Sequence, residues 1–466
     1  MLETVSSVLV KIDDFVWGVP LIVLIMVTGI FLTVRLKGIQ IRKLPLALTY
    51  MVKNEDGGSG EVTSFAALCT ALSATIGTGN IVGVATAIVA GGPGALFWMW
   101  IAALFGMATK YAEGLLAIKY RVIDEDGHVL GGPFYYIERG MGAKWKWLGK
   151  LFAVFGAGAG LLGIGTFAQV SGITSAAGNF FDPEMTSVIR ILGGEYSTAV
   201  VITGLLVTVS VALVVIGGIK RIAQASEIIV PFMAVFYVAA CVIILVTNAG
   251  RIPSAFLVII EGAFGVRAVA GGALGTIMIA MQKGIARGIF SNEAGLGSAP
   301  IAAAAAQTKS PARQGLVTMT GTFIDTIIIC TMTGLSIVLT ESYNVGLEGV
   351  AVTTRAFQEG LPFPAGFSSL LLMICLIFFA FTTIIGWNYY GERCLEYVCN
   401  KNKTSLLIYR GLYILAVLIA PFMTVEAVWT IADIFNALMA IPNLIALLAL
   451  NKVIVTETND YLKGIC

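Results

Sequence analysis

The residues of greatest chemical interest sit where a lipid-facing chain would not put them. ALSATIGTGN, residues 71–80, lies inside an apolar run from Phe65 to Ala90 and sets Ser73, Thr75, Gly77, Thr78, Gly79 and Asn80 at its centre. In hydrocarbon every backbone N–H and C=O needs a partner, glycine loosens a helix, and Ser and Thr side chains can re-satisfy freed groups. The stretch therefore predicts a helix break near the bilayer midplane. One half-helix then points N–H groups at a cavity, which suits a carboxylate, and the other points C=O groups, which suits a cation. A second segment of this kind is AVAGGALGTIMIAMQKG, residues 268–284, with Gly271, Gly272, Gly275 and Thr276 in its middle and Gln282 further along. Asp325, in GTFIDTIII, lies near the middle of a third apolar run. A carboxylate there costs at least a few kcal/mol, which marks it as a cation ligand or a proton carrier.

Each feature has a plainer alternative. Small residues at four-residue spacing let helices approach, and Gly83 and Gly106 are read that way. Phe167 and Gln169 in GIGTFAQVSG, with Ile277 and Met281, are the candidate walls of a small pocket. Gln169 and Gln282 stand out as polar where lipid is expected. Lys110 and Glu113 are expected to snorkel from the inner end of their span. Lys283 and Arg287 are expected to be inner-face charges, and Asp433 part of an outer gate or a local salt bridge.

The elements that must position these residues follow from composition. The chain has 466 residues, 58% hydrophobic and 12% charged, with a mean hydropathy of +0.90. A soluble domain carries about 25% charge, so this is an all-α polytopic membrane protein. Windows of span length fall near 15–34, 65–90, 95–118, 148–177, 197–217, 224–248, 268–289, 314–340, 366–391, 405–421 and 427–450. The piece 253–266 is too short to cross and is expected at the membrane surface or over the bundle. Basic residues gather in alternate loops: Arg35, Lys37, Arg42, Lys43 and Lys53; Lys119, Arg121, Arg139, Lys144 and Lys146; then Lys220 and Arg221, Lys309 and Arg313, and Arg393, Lys401 and Lys403. By the positive-inside rule eleven spans result, with the N-terminus outside and the C-terminus cytoplasmic. The two predicted breaks are separated by four spans. This makes residues 65–248 and 268–450 two inverted five-span halves, with 15–34 as an extra N-terminal span, which is the LeuT-type layout in a single transmembrane domain.

Other classes are excluded on simple grounds. The net charge of +2 offers nothing to a nucleic acid. The seven cysteines form no CxxC pair, and the one histidine, His128, lies in a polar loop, which excludes a histidine-based metal or proton-relay site in the membrane. No HExxH, GxSxG or GxxxxGK[ST] is present, so neither an intramembrane hydrolase nor an ATP-driven pump is expected. The first residues lack the pattern of a cleaved signal peptide.

GGPGALFWMWIAALFG, residues 91–106, closely resembles the signature of the alanine or glycine:cation symporter family, and KGIARGIFSNEAGLGSAP, residues 283–300, is similar to a second stretch typical of it. The resemblance implies a LeuT-type fold and uptake of alanine, or next glycine, with sodium across a plasma membrane. The segment SATIGTGN also resembles the first core helix of the neurotransmitter:sodium symporters. That likeness implies substrate carboxylate on the N–H groups of Thr78 and Gly79. It also implies one sodium at the Thr75 carbonyl and the Asn80 side chain, and a second at the carbonyls of Ser73 and Ile76. The fold further implies that Thr382, Thr383 and the Phe379 carbonyl complete the second sodium site, and that Asp325 joins Asn80 at the first. Rival readings are a proton-coupled carrier with Asp325 as proton site, and an ion channel. The sequence leaves the oligomeric state open.

Overall fold

The computed structural model describes residues 16–53, 55, 57–125, 127–191, 194–265, 273–423 and 425–464. Helix dominates because a helix satisfies its own backbone in lipid. The elements used below are α1 (Val19–Arg35), α2 (Ser64–Thr75), α3 (Val84–Gly91), α4 (Gly94–Lys119), α5 (Lys146–Leu162), α6 (Phe167–Phe181), α7 (Thr198–Val215) and α8 (Gly218–Thr247). They continue with α9 (Ile252–Ala263), α10 (Ala273–Asn292), α11 (Ala299–Ala303), α12 (Pro311–Thr322), α13 (Thr331–Leu339), α14 (Val350–Gly360), α15 (Ala365–Val398), α16 (Lys403–Ile419) and α17 (Val425–Ala449).

Among the described residues eight helices are long and apolar enough to cross a membrane, nine counting one bent pair, against eleven expected. The windows outside that count are 15–34, whose helix α1 has only 17 residues, and 268–289, whose helix α10 is interrupted by polar residues such as Gln282, Lys283 and Arg287. The segment at 253–266 forms the short helix α9, packed over the end of α4.

Burial separates the inner helices from the rim. The apolar window of α4 is 83% buried, whereas those of α7 and α16 are 28% buried. On the rim Leu206, Leu213, Val235, Leu407 and Ile408 point outward, as lipid-facing side chains do. In the interior Trp387, Tyr390, Phe134 and Phe152 pack with Met439 and Leu444 in the largest core cluster.

Four spans are irregular. α2 and α3 meet at 54° around residues 76–78, with a π-type turn at Gly79–Gly83, as the SATIGTGN stretch predicts. The predicted second break lies partly outside the described residues, which exclude Gly271 and Gly272; α10 is helical through Gly275 and Thr276, and a further interruption follows where the helix stops at Asn292, to resume at Ala299. The third interruption, at 163–166 between α5 and α6, falls inside a window expected to be one helix. Gly165 permits it: a Cβ there would lie 2.6 Å from both the Gly160 carbonyl oxygen and the Trp387 Cβ. Between α12 and α13 the backbone widens into a π-type segment, Phe323–Cys330, around Asp325. Such bulges are frequent at functional sites.

Candidate substrate and ion site

Asp325 is the meeting point of both interruptions. It is fully buried, and its Oδ1 accepts the Asn80 amide at 2.7 Å. Its Oδ2 accepts the hydroxyls of Ser291 at 2.9 Å and Thr326 at 2.7 Å. Asn80 turns its other end back on the first break, accepting the Gly77 N–H at 2.9 Å, while Thr333 caps the Asn80 carbonyl at 2.8 Å. Asn292, the last residue of α10, donates to Thr326 at 3.0 Å. One carboxylate thus ties α2–α3, the end of α10 and the π-type segment together. Asp325 and Asn80 come together as expected. Ser291, Asn292, Thr326 and Thr333 join them unforeseen. For Ser291 and Asn292 the signal was the run SNEAGLG, where polar and glycine residues break an apolar pattern; Thr326 and Thr333 carried none beyond being hydroxyls in the span of Asp325.

The second predicted ion site is partly assembled. The Thr383 hydroxyl reaches the Ile76 carbonyl at 3.2 Å and the Phe379 carbonyl at 3.1 Å. Thr382 faces elsewhere, with its hydroxyl on Phe379 O at 2.9 Å and near the Met233 sulfur. Neighbouring helix positions point about 100° apart, so only one of the pair can face the break. The hydroxyls of Ser73 and Thr75 bond carbonyls of their own helix, at Thr70 and Ala71. Among the described residues no group of three or more His, Cys, Asp or Glu could hold a metal ion. The oxygens gathered here are carbonyls, hydroxyls, an amide and one carboxylate, a hard donor set suited to an alkali cation.

The second interruption is held by a different carboxylate. Glu113 Oε1 accepts the N–H groups of Gly295 and Gly297 at 3.2 Å each and the Asn443 amide at 2.7 Å. Glu293 accepts the Trp387 indole at 2.9 Å and the Ser298 hydroxyl. Lys110 and Glu113 do not snorkel: they are 2% and 0% exposed. Lys110 lies within electrostatic reach of Glu113, Glu293 and Asp325.

Beside the first break lies a cavity of about 670 Å³, lined by Thr78, Val82, Ser171, Gly172, Ser175 and Arg287, with Glu348, Gly349 and Val350 also in its wall. Its size suits a small ligand. Gln169 reaches the break, accepting the Thr78 N–H at 3.0 Å, and is not among the residues walling the cavity. Gly79 packs on Ser291, where an added Cβ would stand 3.3 Å from its Cα. Phe167 turns into the apolar cluster with Val207 and Tyr413. Gly275, Thr276, Ile277, Met281 and Gln282 lie on α10 outside the cavity wall, and Gln282 is exposed. Arg287 is not at the basic end of the bundle. It lines the cavity and pairs with Asp433 at 3.4 Å, the local salt bridge expected of Asp433.

The opposite end is closed. Val62 and Ala306, and Ser59 and Thr308, pair as isolated β-bridges, so the lead into α2 is bonded to the segment after the second interruption. Arg121 bolts the two, donating to Ala304 O at 2.6 Å, Ala306 O at 2.7 Å and Ser59 O at 2.6 Å. Beside it His128 Nδ1 meets Glu61 at 2.7 Å and Nε2 meets Glu396 at 3.2 Å, with Arg393 on Glu396 at 2.6 Å. The carboxylates of Glu396 and Glu61 push the His128 imidazole up to about 9.

The profile of the sodium:alanine symporter family matches residues 2–465. The chain is 46% identical over 465 residues to the sodium/alanine symporter AgcS of Methanococcus maripaludis, covering 98% of this chain and 97% of that protein. It is 37% identical to the probable sodium/glutamine symporter GlnT of Bacillus subtilis over 452 residues, 96% of this chain and 89% of that one. Among solved structures, that of MhsT in complex with L-phenylalanine matches with a TM-score of 0.56 at 13% identity, covering 86% of this chain and 100% of that chain. The fold is therefore LeuT-type. The chain belongs to the sodium:alanine symporter family, a family of membrane transporters and not of enzymes.

Proposed function

We propose that this member of the sodium:alanine symporter family couples inward sodium movement to uptake of alanine, with glycine next, across a plasma membrane. The observation that carries the reading is Asp325, which joins both interrupted helices and the π-type segment through Asn80, Ser291 and Thr326. A cation entering there would take the carboxylate oxygens together with the Asn80 and hydroxyl oxygens, the Thr75 carbonyl being the remaining expected ligand. A second cation would take the carbonyls of Ile76, Ser73 and Phe379 with the Thr383 hydroxyl. The zwitterionic substrate occupies the cavity over Thr78, near Gln169. Sodium stabilises the arrangement that binds substrate, and release follows when the sealed end parts and the cavity end closes. The gradient supplies about 2.3 kcal/mol per charge per 100 mV. The basic loops at the sealed end support a cytoplasmic placement for that end, with the N-terminus outside.

Labelled alanine uptake into proteoliposomes tests this, under inward sodium, inward proton or no gradient. Uphill uptake that needs sodium is expected in the wild type. In Asp325→Asn uptake is expected to fall about 100-fold, the scale of removing one partner from a buried charged contact. Accumulation on a proton gradient alone would make Asp325 a proton site instead. Saturation-free flux with no accumulation would make the molecule a channel.

A further inference from the structure

We propose that the elbow after α1 holds an anionic phospholipid of the adjoining leaflet, its phosphate on Arg35, Lys37 and Arg42 and an acyl chain along the outer face of α1. The three basic side chains are exposed, and Lys43 follows them half-buried. Between Asp14 and Glu55 the chain has no acidic residue. Among the described residues none of the four cations forms an ion pair, whereas Lys119, Arg313, Arg393 and Lys401 each pair with a carboxylate. A basic cluster at the end of a span, without an internal counter-ion, is placed to attract an anionic headgroup.

The fold holds this cluster in place. Lys37 and Gly38 both take left-handed backbone, with φ of 55° and 65°, and turn the chain from α1 into the short helix Ile39–Arg42. That conformation is uncommon for a lysine. Leu36 and Ile39 are buried beneath the turn. Gln40 donates to the Leu104 carbonyl at 3.3 Å and to the Thr33 hydroxyl at 2.9 Å, which pins the elbow to α4. Arg42 reaches back to the Lys37 carbonyl at 3.4 Å, so the second half of the cluster folds over the first. A guanidinium is a planar fork of N–H donors that matches a phosphate.

The neighbouring surface selects a lipid over a soluble anion. Val23, Val27, Ile30 and Val34 are exposed, and their spacing of three or four residues sets them in one stripe on α1. The stripe runs about 16 Å along the axis, close to one leaflet of a hydrocarbon core about 30 Å thick. It ends beside Arg35, and Ile41 carries exposed apolar surface past the turn. Both parts of an amphiphile are thus matched, whereas a soluble phosphate would use the cations alone. A second copy of this chain seated symmetrically on the face would bring a like-charged elbow toward it.

Purified full-length protein in neutral detergent would be titrated with phosphatidylglycerol, phosphatidylcholine or glycerol phosphate, and the lipid retained would be read by native mass spectrometry. The wild type should hold phosphatidylglycerol about tenfold or more above phosphatidylcholine, and glycerol phosphate should not displace it. The triple variant Arg35→Gln, Lys37→Gln, Arg42→Gln should bind phosphatidylglycerol about 100-fold more weakly, the scale of three basic residues at an anionic surface. Lys403→Gln, which removes an exposed cation elsewhere, should leave binding unchanged. Val27→Ser with Val34→Ser should weaken both lipids alike. In the unaltered protein, raising sodium chloride from about 0.1 M to about 1 M should loosen phosphatidylglycerol, since the screening length falls from about 10 Å to about 3 Å. Equal retention of the two lipids by the wild type would overturn the proposal, as would equal loss in the triple variant and Lys403→Gln. Displacement by glycerol phosphate would overturn the acyl contact and leave an ion site. A dimer in lipid-free detergent that the triple variant breaks would give the face to a second copy instead.

Discussion

The two ends of the bundle are built on different principles. At the cavity end the walls are mainly small apolar and hydroxyl side chains, with Arg287 among them paired to Asp433. At the sealed end the backbones of two interrupted spans pair directly, and Arg121 reaches carbonyls of both. Hydrogen bonds to a charged group contribute about 1.5–3 kcal/mol each, so the sealed end is the more strongly tied. The difference teaches where the energy of alternating access is stored. Opening the sealed end means parting a bolt of charge-assisted bonds. On the proposed reading, binding of sodium and substrate at the breaks offsets that loss.

The largest expected effect on this contrast comes from the joint between the two ends. A Cβ on Gly77 would stand 2.5 Å from the Thr383 hydroxyl and 2.8 Å from Gln169 Oε1. Gly77→Ala should drive α15 off the break, at a cost of about 1–3 kcal/mol, and raise the sodium concentration for half-maximal uptake by about tenfold or more. Sodium titration of uptake checks it, and an unchanged midpoint would detach Thr383 from the ion site.

Next comes the bolt itself. Arg121→Ala should populate the state open at the sealed end about tenfold more. Cys69, buried in α2 below that end, reports the change. In a protein retaining only that cysteine, labelling by an aqueous thiol reagent should speed up in proportion. An unaltered rate would show that the β-bridges close this end unaided.

The smallest effect concerns His128. Its imidazole has an ordinary value of 6.5 and is raised to about 9 by Glu396 and Glu61. A group raised on folding contributes fully below about 6.5 and loses its contribution as pH rises through about 9. The sealed end should thus hold at neutral pH and loosen by a few-fold between about pH 8 and 10, discounted for partial solvent screening. Cys69 labelling, normalised to His128→Gln to remove the thiol's own titration, should show the rise. A flat ratio would reduce the histidine to a structural contact.

Much of the proposed ion site was legible in the chain. SATIGTGN announced its break because glycine next to hydroxyl residues in an apolar run is a local property. Asp325 announced itself by the cost of a midspan carboxylate. The rest depended on partners distant in sequence. Gly275 and Thr276 have the same composition as the first break yet stay helical, and Gly275 has open space around it where a Cβ would point. The chain opens instead at 293–298, because there Glu113 from α4 and Asn443 from α17 supply groups that bond the freed backbone.

By itself the sequence determined a membrane-spanning helical chain, the break at SATIGTGN and the identity of the intramembrane carboxylate. These follow from hydrophobicity, glycine and charge, which act residue by residue. Only the tertiary structure decided where the second helix opens, that Thr383 and not Thr382 meets the break, and that Arg287 belongs to the cavity. An unwound backbone survives in a low-dielectric interior only where another element brings it a hydrogen-bond partner. The rotation of each helix about its axis then decides which of two adjacent side chains can reach that place.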